Sequence, residues 1–74
     1  MKIGVPKEVK PGEGRVAMLP DQVTALVTDG YTVTVEEGAG AASGVENSAY
    51  AAAGATMVST GAEVYATAAL IIKV

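Results

Sequence analysis

Arg15 is the only arginine of the chain, and it stands just past the turn Pro11-Gly12-Glu13-Gly14 in a basic opening stretch, MKIGVPKEVKPGEGRVAMLP. From Val16 to Ile72 no lysine or arginine occurs. A guanidinium presents parallel N–H donors that match the two oxygens of a planar carboxylate, so Arg15 is the first candidate for an anion-binding group. An arginine that merely faces water is the commoner case. Lys73 is the second cation of interest, since a residue closing a parallel strand stands where open α/β sheets place their ligands, although a lysine there also snorkels readily to water.

The remaining inventory excludes much. There is no histidine and no cysteine, so Ser43, Ser48 and Ser59 have no imidazole to activate them, and nucleophilic catalysis is not expected. Glu8 and Glu13 lie among Lys7, Lys10 and Arg15, and are expected to pair with them or face solvent. Gly38-Ala39-Gly40-Ala41-Ala42-Ser43-Gly44 follows a strand-like stretch and is similar to a dinucleotide-binding glycine turn. Ser43 occupies the place of its third glycine, however, and Glu36 and Glu37 immediately before it would repel a pyrophosphate. The segment is therefore read as a loop.

Positioning these groups falls to elements that alternate along the chain. Lys2 to Val5 reads as a strand closed by Pro6, and Lys7 to Gly14 as a loop. Pro20 has the fixed φ of a first helical turn, Asp21 places a negative charge at the positive end of the dipole, and Val23, Leu26 and Val27 follow at helical spacing. Gly30 stops that helix, which is predicted over 20–28. Tyr31 to Val35 alternates apolar and hydroxyl-bearing side chains, as a strand does. Asn47 or Ser48 is expected to cap a short helix through Ala53, Thr56 to Val58 to form a third strand, and Thr60 with Glu63 to make a capping box for a helix to about Thr67. Leu70 to Val74, apolar until Lys73, reads as a parallel strand covered on both faces. Tyr31, Tyr50 and Tyr65 are expected to pack with their hydroxyls at the edge.

The order β-α-β-α-β-α-β implies an α/β fold, a parallel three-layer unit with right-handed crossovers. Seventy-four residues make one small domain, and a domain of that size buries only about 60% of the surface its unfolded chain exposes. Without cysteine or histidine, disulfides and zinc are not available to reinforce it, so association, as a homo-oligomer, or membership of a longer chain is expected. The apolar last strand points the same way, to the first part of a larger two-domain Rossmann-like protein. A net charge of −3 with no basic stripe argues against nucleic acid. The longest apolar run, Ala68 to Ile72, is too short to span a bilayer, and the start has no signal-peptide core, so a cytoplasmic location is expected.

MKIGVPKEVKPGEGRVAMLP, GYTVTVEEGAGAASG, AYAAAGA and LIIKV, in that order and spacing, resemble the N-terminal segment of alanine dehydrogenase and of the related alpha subunit of NAD(P) transhydrogenase. The resemblance covers residues 1–74. It implies that these residues are the N-terminal portion of the substrate-side domain, with the nucleotide-binding domain, the catalytic histidine and aspartate and the NAD site elsewhere, so that this chain alone lacks the hydride chemistry. In alanine dehydrogenases the arginine of this motif binds the carboxylate of pyruvate or alanine, and Arg15 occupies its position. Lys73-Val74 matches the first two letters of the family's K-V-K-E-P motif, whose second lysine is the other substrate ligand. The implied activity is the NAD-dependent oxidation of L-alanine to pyruvate and ammonia. The alternative is hydride exchange between NAD(H) and NADP(H) beside a membrane partner, and a further one is a non-catalytic structural or interaction fragment.

Some positions depart from the alanine dehydrogenase pattern. Pro11-Gly12 stands where two asparagines are frequent, Leu19 where a threonine or serine usually caps the helix, and Tyr65 where tryptophan is frequent. Lys7-Glu8-Val9-Lys10 and Glu63-Val64-Tyr65 are closer to alanine dehydrogenase, the preferred reading.

Overall fold

The structure, a computed structural model, describes residues 1–8 and 17–73. Its elements follow the expected alternation: β1 (Lys2–Val5), α1 (Pro20–Thr28), β2 (Thr32–Glu36), α2 (Asn47–Ala52), β3 (Thr56–Val58), α3 (Gly61–Thr67) and β4 (Leu70–Ile71). The strands form one sheet in the order β3-β2-β1-β4, and every pairing is parallel.

Alternation of side chains across the sheet sorts the helices onto its two faces. Ile3 and Val5 of β1 pair in register with Val33 and Val35 of β2, and all four are buried in one cluster with Val23 of α1 and Tyr50 of α2. On the opposite face lie Gly4 and its partner Thr34, with Val64 and Ala68 at the α3 end set against Gly4. Fixed crossover handedness accounts for this division. β1 to β2 to β3 winds outward with α1 and α2 on one face, and the return to the far side of β1 as β4 carries α3 over the other.

Gly4 is where the second face is tightest. A β-carbon built there would stand 2.6 Å from Val64 Cγ1 and 2.7 Å from Ala68 Cβ. Contacts that short force neighbouring atoms to shift, so glycine lets α3 approach β1 closely.

Several expectations are corrected. β2 begins at Thr32, because the Tyr31 amide donates to Leu26 O at 3.0 Å and so closes the end of α1. Asn47 does not cap α2. It is the first residue of that helix, Glu46 holds the cap position without a side-chain bond, and Asn47 Oδ1 instead accepts the Gly38 N–H at 2.8 Å. Tyr31 and Tyr65 are 36% and 53% exposed, whereas Tyr50 is fully buried with its hydroxyl inside. β4 is a two-residue edge strand with Leu70 exposed, so in this chain one of its flanks has no neighbouring strand among the described residues. Val74, the last residue of the expected strand, lies outside the described residues.

Other local readings hold. Thr60 caps α3, its Oγ1 accepting the Glu63 N–H at 3.3 Å. Leu19 caps α1 without a side-chain acceptor, as its residue type requires, and Gln22 Oε1 reaches back to accept the Leu19 N–H at 2.8 Å.

Candidate functional site

Winding direction reverses between β1 and β4, and at such a switch point the crevice beyond the carboxyl ends of the strands is the place α/β sheets bind ligands. The register Gly4↔Ile71 is extended by the Ile72 N–H, which donates to Gly4 O at 2.9 Å. By that register Lys73 stands level with Pro6, on the crevice, and is exposed. Lys7, Lys10 and Arg15 all belong to the connection that leaves the carboxyl end of β1. Among the described lysines, Lys2 sits at the opposite end of the sheet. Lys7 and Lys73, among the described residues, follow the carboxyl ends of β1 and β4, as Glu36 and Glu37 stand at that of β2.

Arg15 itself, with Lys10, Glu13 and the Pro11–Gly14 turn, lies outside the described residues. What is described is the pair of anchors on either side of that segment. At the exit, Glu36 Oε1 accepts the Lys7 backbone N–H at 2.7 Å, a short charge-assisted bond that joins the end of β2 to the residue after Pro6. The end of the Lys7 side chain lies over Gly38, its Nζ 3.7 Å from where a β-carbon would stand. At the return, the Tyr50 hydroxyl donates to Met18 O at 2.8 Å in a buried bond. Burial also raises the pKa of the Tyr50 phenol, because the anion would lose its hydration.

Both anchors escape local sequence reasoning. Glu36 reads only as the end of a strand and Tyr50 only as a packed aromatic, and their partners are 29 and 32 positions away.

The glycine-rich loop after β2 is occupied by its own hydrogen bonds. The Gly38 amide goes to Asn47 Oδ1, Ala39 to Glu36 O, Ala41 to Gly38 O, Ser43 and Val45 to Gly40 O, and Gly44 to Ala41 O. A phosphate cradle requires such amides pointing outward together. An open depression of about 490 Å³ lies against this loop, lined by Gly38, Ala41, Gly44, Val45, Glu46 and Asn47. Its one charged side chain is acidic, which suits no phosphate. Among the described residues no cluster of three acids, histidines or cysteines could hold a metal, and no helix is long and apolar enough to cross a membrane.

An open parallel sheet with its switch point between β1 and β4 defines an α/β domain. Residues 4–74 match the family described as alanine dehydrogenase/PNT, N-terminal domain, and the chain belongs to that family. It is 50% identical over its whole length to an alanine dehydrogenase of Methanococcus maripaludis, of which it covers 20%. It is 47% identical, again over its whole length, to an NAD(P) transhydrogenase alpha-subunit polypeptide of Rhodospirillum rubrum, covering 19%. Among solved structures, an L-alanine dehydrogenase superposes with a TM-score of 0.95 at 38% identity, over 99% of this chain and 20% of that one. A transhydrogenase from Sinorhizobium meliloti superposes with a TM-score of 0.90 at 37% identity, over 99% of this chain and 21% of that one. The chain therefore spans about a fifth of the length of these relatives.

Proposed function

We propose that this chain forms the first portion of the substrate-side domain of an NAD-dependent alanine dehydrogenase, and that Arg15 anchors the carboxylate of alanine or pyruvate. The reading is supported by the sequence, in which Arg15 falls between β1 and α1, and by the 50% identity of the chain to an alanine dehydrogenase. A 2-amino or 2-oxo acid offers the planar carboxylate that a guanidinium fork grips.

NAD does not fit the glycine loop of the described residues. The amides of its glycine loop are spent internally and two glutamates precede them, so the cofactor is assigned to another domain of the longer protein. The contribution of the present residues is to bind and orient substrate. In the transhydrogenase reading, Arg15 holds no amino acid and is structural.

The test uses the full-length protein. Alanine-dependent reduction of NAD supports the dehydrogenase, whereas hydride exchange between NAD(H) and NADP(H) without alanine turnover replaces it by the transhydrogenase. Arg15→Lys keeps the charge and loses the fork. Loss of a charge-assisted hydrogen bond worth about 1.5–3 kcal/mol raises the alanine KM by about ten- to a hundredfold. An unchanged KM would sink the assignment.

A further inference from the structure

We propose that Asp29-Gly30 is a modification site, an aspartyl bond that isomerises to isoaspartate when the last turn of α1 opens and is held unreactive while that turn is closed. Of the two aspartates, Asp21 and Asp29, only Asp29 is followed by glycine. Both residues of the pair are exposed, and nothing lies within 4 Å of where a Gly30 β-carbon would stand. The Gly30 nitrogen therefore lacks the cover that a side chain would give it.

The step needs no partner but water. The Gly30 nitrogen attacks Asp29 Cγ, and its proton leaves with the carboxyl hydroxyl as water, closing a cyclic imide. Water adding back at Cγ restores aspartate. Added at the Asp29 backbone carbonyl, it leaves the chain running through the side chain, an isoaspartyl link of unchanged mass with one more methylene in the main chain.

The folded chain opposes the closure. A ring requires Cβ and the Gly30 nitrogen on the same side of the Asp29 Cα–C bond. Asp29 has ψ 2°, which eclipses the Gly30 nitrogen with its own nitrogen instead and puts it a third of a turn from Cβ. The Gly30 N–H is also engaged, donating to Val27 O at 3.0 Å, and the Tyr31 N–H donates to Leu26 O at 3.0 Å. With Gly30 at φ 95°, these two bonds form the glycine cap that closes α1, and ψ cannot make the turn while both hold. The cap has a weakness, because Asp29 places a negative charge at the negative end of the helix dipole and the last turn holds no basic residue. Helix ends open locally at less cost than the core, so the reaction follows that opening. Its product disturbs the fold. An added methylene between α1 and β2 displaces the Tyr31 N–H from Leu26 O, and the Thr32 N–H from Met1 O, now 3.1 Å apart, where the β1–β2 pairing begins.

The test ages the full-length protein in warm neutral buffer, native and in denaturant, and measures isoaspartate in each peptide by enzymatic methylation and by separate elution at unchanged mass. Isoaspartate is expected at Asp29 and not at Asp21 in the denatured chain, and to form about tenfold or more slowly in the native protein. Thr28, exposed in the last turn of α1, sets the ease of opening without touching the reacting atoms. The native rate in Thr28→Gly should exceed that in Thr28→Ala by about fivefold, from the difference in helix propensity, while their denatured rates agree. No isoaspartate at Asp29 in the denatured chain, equal native and denatured rates, or a native rate indifferent to the Thr28 variants overturns the inference. Should Thr28→Gly fail to fold, Thr28→Ala against the parent carries the same comparison, with the slower native rate expected in the variant.

Discussion

Tyr50 joins stability to position. Its phenol sits where water does not reach, and its proton is committed to the Met18 carbonyl. Burial raises its pKa in the folded chain, whereas the unfolded chain deprotonates near the ordinary value of about 10. Below that value both states hold the proton and the contribution to stability is complete. As pH rises above it the unfolded state releases its proton first, so stability falls toward the folded pKa. Tyr50→Phe strands the Met18 carbonyl and should cost about 1–3 kcal/mol near pH 8. The gap between parent and variant, read from denaturant unfolding, should then narrow as pH is taken toward about 11. A gap independent of pH would show that burial does not oppose the phenolate.

At the scale of elements, α1 has a position open to improvement. Leu19 occupies the cap with no acceptor, is 49% exposed, and already receives the reciprocal half of a capping box from Gln22. Leu19→Ser completes the box at little cost in burial and should stabilise the chain by about 0.5–2 kcal/mol, measured as a higher denaturant midpoint at unchanged slope. The bounds of α1, β3 and β1 are legible in the sequence because their signals are local: proline at the first turn, a glycine stop, an alternating triplet. The role of Asn47 is not, since its partner Gly38 is nine residues away across the glycine loop and competes for the side chain that a cap would use. Tyr31 leaves its expected strand for a related reason, a β-favouring residue diverted by a backbone bond to the end of α1. Arg15 is legible as a candidate from its type and motif. Glu36 and Tyr50 are not, because what they hold is decided by strand order.

Across the whole molecule, the two faces of the sheet tolerate change differently. The Ile3/Val5 face is filled by side chains, but the Gly4 face is filled by the approach of α3 itself. Gly4→Ala adds one methyl where 2.6 Å is left to Val64, and should lower stability by about 1–3 kcal/mol or more, with a matching fall in Tm. A variant as stable as the parent would mean that α3 slides freely over the sheet. The order β3-β2-β1-β4 also bears on how the fold is reached. β1, the first of the described strands, is an interior one, and its partner on one side, β4, is the last of the described elements. Pairing such distant segments requires every element between them to have been made, and contacts of long sequence separation slow folding. Until β4 has been made, β1 keeps one row of backbone groups open to water and able to recruit the wrong strand, so misassembly here is a matter of timing rather than of final stability.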